Sequence, residues 1–145
     1  MGRLKQTAIA LALQLSLATS AIASDRIDLS DLAGTWQGMY TYSTQNQRPV
    51  EFTMTVQVYG NTCRGRIDEP NTFGHPSAPR LYADVECQLV VGRGPPRLMF
   101  RKVYDGTGGQ SHSVDYDGEI SADRRGVTGV WGLATQSGRF SLIKQ

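Results

Sequence analysis

Cysteine is almost absent from this chain: Cys63 and Cys87 are the whole supply. Neither lies near the N-terminal apolar segment, so the cysteine-borne lipid anchor of exported bacterial proteins is excluded. That segment also lacks a twin arginine and any acidic residue. Internal repeats and linkers are missing, which argues against a repeat array or a chain of domains. Helical periodicity does not persist anywhere after the N-terminal segment, apart from a possible short turn over residues 25–32, where Ile27, Leu29 and Leu32 recur. An excess of charge of one sign is missing as well. The chain has Lys+Arg 15 against Asp+Glu 13. Loss of Arg3 and Lys5 with the leader would make the two totals equal, which removes the electrostatic case for a nucleic-acid partner.

What is present begins with that leader. Arg3 and Lys5 precede an uncharged apolar stretch over residues 7–18, and Ala21-Ile22-Ala23 fits a small-x-small cleavage site. The stretch is short for a bilayer span, so residues 1–23 read as a cleaved signal peptide rather than a membrane anchor. The expected product is one exported domain over residues 24–145, in the periplasm or secreted, with no membrane contact after cleavage.

Alternation dominates that domain. Strands are predicted over residues 35–43, 50–59, 62–68, 80–89, 97–104, 113–121, 127–134 and 139–144. Gly60-Asn61 is a two-residue hairpin signal. Folding 62–68 back on 80–89 sets Cys63 opposite Cys87, Arg64 opposite Glu86 and Arg66 opposite Asp84. A disulfide is therefore expected in an oxidising compartment, with two free thiols as the alternative. The next pairing sets Arg101 against Asp115 and Arg97 against Glu119 outside, and Phe100 against Tyr116 inside. The predicted fold class is all-β: about eight antiparallel strands closing into an up-and-down barrel, after a short N-terminal helical turn. A two-sheet sandwich is the competing arrangement.

Leu32-Ala33-Gly34-Thr35-Trp36 resembles the Gly-x-Trp opening of calycin barrels, the lipocalin and avidin kind. The resemblance implies a tryptophan that plugs the closed end after a helical turn, covered by a basic residue of the last strand. Lys144 stands where that residue would be. Gly129-Val130-Trp131-Gly132-Leu133 is similar to the tryptophan-bearing seventh strand of avidins. The further avidin tryptophan before the last strand is absent, and the chain is shorter than a typical lipocalin. Neither biotin nor a large lipid is therefore expected.

In such a meander the long loops over residues 69–79 and 105–112 share one end, which is taken as the mouth. Both histidines, His75 and His112, fall there with Glu69 and Asp105. Lys102 has the parity of Leu98 and Phe100 and so points inward, where an ammonium needs a partner or water. Its partner would be an anionic ligand, Asp105 or Glu69, unless it snorkels to the rim. Tyr40, Tyr42, Phe100, Lys102, Tyr104, His112 and Tyr116 are the candidate ligand-binding residues. Whether bulky residues and glycines fill the barrel or leave a pocket is open at this level, with a small pocket favoured.

His75, His112, Asp105 and Glu69 have no fixed ligand spacing, so no metal or cofactor is expected. Ser111 and Ser113 flank His112, but neighbours in an extended chain point apart, so an enzyme is not expected. Asp105-Gly106-Thr107-Gly108-Gly109 has no following helix and reads as a turn, not a phosphate cradle. Arg93, Arg97, Arg124 and Arg125 at the opposite end read as solvated turns. Two functions fit. One is a binding barrel for a small amphipathic or anionic ligand. The other is a periplasmic barrel that inhibits a protease or lysozyme, a class this chain resembles in size and architecture. In that case Asn71, Phe73 and His75 would form the inserted loop.

Overall fold

The computed structural model describes residues 26–44 and 46–145. The expected signal peptide, residues 1–23, lies outside the described residues. Eight antiparallel strands close into one barrel in sequence order: β1 (Gly34–Tyr42), β2 (Val50–Tyr59), β3 (Thr62–Pro70), β4 (Arg80–Val90), β5 (Arg97–Tyr104), β6 (Ser113–Ile120), β7 (Gly126–Gly132) and β8 (Ser137–Lys144). β8 pairs with β1, setting Trp36 beside Lys144, so no edge is left open and the sandwich alternative is excluded. Among the described residues no helix is long and apolar enough to cross a membrane.

The register follows the cross-strand pairs expected from charge and cysteine placement. Cys63 faces Cys87, and the two form a disulfide with Cα atoms 5.0 Å apart. Arg101 faces Asp115 and holds it at 2.8 Å. Arg97 faces Glu119 in register, yet its guanidinium takes Asp117 by two hydrogen bonds instead. The diagonal carboxylate offers the fork a bidentate grip. These exposed pairs are screened by solvent and chiefly make the outer surface of β3 to β6 polar.

The closed end is built as the Gly-x-Trp resemblance implies. A short 3₁₀ turn, Leu29–Leu32, precedes β1. The Trp36 ring is buried, and its Nε1 donates to Leu32 O at 2.9 Å. Lys144 Nζ lies 5.8 Å from the Trp36 ring centroid and donates to Asp31 O at 2.7 Å. Arg124 reaches Asp31 Oδ2 at 3.1 Å, and Arg125 reaches Lys144 O at 2.9 Å. Two of the four arginines expected to be solvated turns therefore latch the plug.

Above the plug the lower barrel is filled. A Cβ on Gly38 would sit 2.2 Å from the Phe52 ring, so this glycine is what lets the ring lie flat on β1. Phe100 stacks on Tyr116 with centroids 4.4 Å apart and meets Phe140 edge-on. These buried rings pack the interior on the side of Lys102 away from the mouth.

Candidate functional site

The cup at the mouth begins where β5 changes from Phe100 to Lys102. The Lys102 side chain is 2% exposed and its ammonium lies 3.2 Å from Glu69 Oε1. Glu69 is entirely buried. It occupies the place predicted for the first loop residue because β3 runs to Pro70, two residues past the expected end. The inward parity of Cys63 and Ile67 carries on to Glu69, which pairs in register with Leu81. Tyr104 Oη also donates to Glu69 Oε1. Glu69 Oε2 has no hydrogen-bond partner among the described residues. Of the partners considered for Lys102, Glu69 is the one found, and snorkelling to the rim is excluded. Asp105 is held elsewhere, by Arg66 at 2.8 Å and the Thr107 backbone at 3.0 Å.

Three tyrosine faces complete the cage around the ammonium. Its Nζ lies 4.6 Å from the Tyr104 ring centroid, 4.9 Å from Tyr40 and 5.6 Å from Tyr116. Such faces attract a desolvated cation. Burial pushes the Lys102 amine below its ordinary value, and Glu69 offsets part of that shift. Burial, with Glu69's charge added, raises the Tyr40 and Tyr104 phenols, so both are neutral donors at any physiological pH.

A cavity of about 370 Å³ opens above this cage. Tyr40, Tyr42, Lys102, Tyr104, His112 and Tyr116 all line it. Phe100, expected among them, does not: stacked beneath Tyr116, it belongs to the packed core. Trp131 adds a wall that the candidate set lacked. Its Nε1 donates to Thr41 O at 2.8 Å, and Tyr42 meets its ring edge-on at 5.2 Å. Gly138 makes that wall possible. A Cβ there would lie 1.7 Å from Thr41 O and 2.6 Å from Trp131 Nε1. Gly138→Ala is therefore expected to cost roughly 2–3 kcal/mol, read from urea unfolding, and to displace the indole.

The loop between β3 and β4 forms the rim and is held by its own hydrogen bonds. Asn71 organises it: Nδ2 donates to His75 O at 2.8 Å and Ala78 O at 2.7 Å, while Oδ1 accepts from Gly74 N at 2.6 Å. These bonds occupy the side chain that was expected to meet a partner. Phe73 is 43% exposed, but its ring packs on Tyr104 and His112 and borders the cavity. His75 turns back on its own loop, its Nδ1 2.7 Å from Ser77 Oγ. It does not join the cup. Glu69, Asp105, His75 and His112 are thus dispersed, and no group of three or more metal-ligating side chains occurs among the described residues.

Burial first and the Lys102 charge second press the His112 pKa below 6.5, with Glu69 opposing. Above 6.5 the ring is neutral in both folded and unfolded chains, and its contribution to stability is fully present. As pH falls through 6.5 toward the lower folded midpoint, the unfolded chain takes the proton first and stability declines. Histidine proton shifts in an NMR titration are expected to give His112 a midpoint under 6.5, and His112→Gln is expected to flatten the loss of stability in that range.

A closed up-and-down barrel, plugged at one end and cupped at the other over a buried Lys102–Glu69 pair, is the class of protein this fold and site define. A scan against protein-family models matches none, and a search of the curated proteins gives no match either.

Proposed function

We propose that this chain is an exported, non-enzymatic, calycin-like binding barrel that holds one small aromatic or amphipathic molecule in the mouth cup. The observation that carries this reading is a lysine on the wall of a ring-lined cavity, above an otherwise filled core. A cavity of about 370 Å³ is at the small end of ligand pockets, which favours a compact ligand. Glu69 engages the Lys102 ammonium through one hydrogen bond, and an ammonium has further donors to offer. A carboxylate, phenolate or carbonyl on the ligand would accept one of them. The apolar part would lie against Tyr42, Tyr116 and Trp131. The disulfide fits an oxidising compartment such as the periplasm.

Phe73 is the feature that the inhibitor reading would use. Its packing on Tyr104 and His112 favours a rim residue over a probe for another protein. Benzoate, as a minimal aromatic acid, is the test ligand. It is expected to raise the melting temperature in proportion to its concentration, while benzylammonium does not. Tyr42→Ala, which removes a half-buried ring from the wall, is expected to weaken benzoate binding about tenfold, the order of one aromatic contact of 0.5–1.5 kcal/mol. Equal response to both probes, or unchanged affinity in Tyr42→Ala, would contradict the proposal.

A further inference from the structure

The chain's lysines are Lys5, Lys102 and Lys144, and every other cationic residue of fixed charge is arginine. Lys144 is spent on the plug, donating to Asp31 O. Lys102 is thus the lysine at the cavity, in a protein that otherwise uses guanidinium groups against its carboxylates. An arginine fork would grip both Glu69 oxygens. The lysine grips Oε1 alone and leaves Oε2 buried, with no partner among the described residues. What an amine can do and a guanidinium cannot is lose a proton and attack a carbonyl carbon.

We infer that Lys102 captures small aromatic aldehydes as a reversible imine, with Glu69 as the proton carrier. This rests on the cup being a ligand site. The cavity brings a carbonyl to the amine, the tyrosine faces and Trp131 hold its ring, and Glu69 stands 3.2 Å from Nζ. The ammonium first passes one proton to Glu69. In a site shielded from water, holding charge on both groups is costly. The amine lone pair then forms the C–N bond while the carbonyl π pair moves to oxygen. The oxygen takes up the proton released from nitrogen, giving a carbinolamine. Glu69 returns its proton to that hydroxyl, the C–O bond breaks, and water leaves. The product is a protonated imine, again paired with the Glu69 carboxylate. One ammonium and one aldehyde have become one iminium and one water, with no oxidant or reductant. Burial, which lowers the basicity of Lys102, favours the first step.

The experiment uses the exported chain with benzaldehyde as probe and cyanoborohydride to trap the imine, followed by peptide mapping. Lys102 is expected to be benzylated faster than Lys144 at pH 7, because a lowered amine pKa leaves more free base to attack the carbonyl. Lys102→Arg, which keeps the charge, is expected to abolish that adduct and leave the slow Lys144 labelling. In parallel, benzyl alcohol, which cannot form an imine, is titrated by calorimetry. If benzyl alcohol binds and Lys102 is not trapped, or is trapped no faster than Lys144, imine capture is overturned while the pocket stands. If benzyl alcohol does not bind and no adduct forms, both fall.

Discussion

Lys102→Met is expected to destabilise the fold by about 3–5 kcal/mol, the range for removing one partner of a buried ion pair. The cause is not the loss of an attraction alone. Glu69 is wholly buried, with one oxygen shared between Lys102 and Tyr104 and the other without a partner among the described residues. Without the ammonium its carboxylate has no counter-charge and must be protonated or solvated within the barrel. The faces of Tyr40, Tyr104 and Tyr116 also lose the cation they surround. The second arm is decisive. Lys102→Met combined with Glu69→Gln removes both charges, keeps an acceptor for Tyr104, and is expected to recover most of the loss. Urea unfolding of the single and double variants gives the coupling energy. Independent, additive losses would mean that the two groups do not act as a pair. A single-variant loss under about 1 kcal/mol, the value of an exposed ion pair, would mean that the ammonium is solvated.

Removing the disulfide is the second large effect. Cys63 and Cys87 are 24 residues apart in sequence and directly opposite in register. Closing a loop of that length restricts the unfolded chain by roughly 3 kcal/mol. The paired variant Cys63→Ala/Cys87→Ala is therefore expected to lose about 3 kcal/mol, or on the order of 10 °C in melting temperature for a domain of this size. Cys87 pairs in register with Phe100 of the packed core, and neither half-cystine lines the cup. Ligand affinity per folded molecule is accordingly expected to stay the same while stability drops. A variant that binds more weakly at a temperature where it remains folded would contradict this separation of staple from site. Thermal melts and benzoate titrations with and without reductant provide the check.

The parts of this structure that rest on period-two alternation were legible in the sequence. Inward parity is a strict consequence of strand geometry, so Lys102, Phe100 and Tyr116 could be placed on the inner face once the strands were recognised. Opposed charges and cysteines then set the register between β3 and β4. The misses have local causes. Glu69 was assigned to a loop because Pro70 follows it, although a proline at a strand's end needs no donor and the alternation runs on through Ile67. Its pairing with Lys102 was among the readings the sequence offered; what the same parity could have added is its place on the strand. Phe100 was placed in the cup because parity tells inside from outside but not depth along the barrel. The hydrogen bonds that Asn71 and His75 make within their loop were not legible, because such bonds leave no periodic trace. Trp131 was read in a tryptophan-bearing seventh strand, but its place in the wall depends on Gly138 across the β7–β8 pair.

The scarcity of lysine permits a direct test of the cup. In a chain expressed from residue 24 onward, ¹³Cε-lysine labelling leaves two side-chain signals, from Lys102 and Lys144. Benzoate is titrated into the labelled protein and followed by heteronuclear NMR. The expected result is a saturable shift of the Lys102 signal with Lys144 unmoved. A Lys102 signal that stays still up to millimolar benzoate, or moves only in step with Lys144, would mean that the caged ammonium is structural and that the mouth of this barrel is not a ligand site.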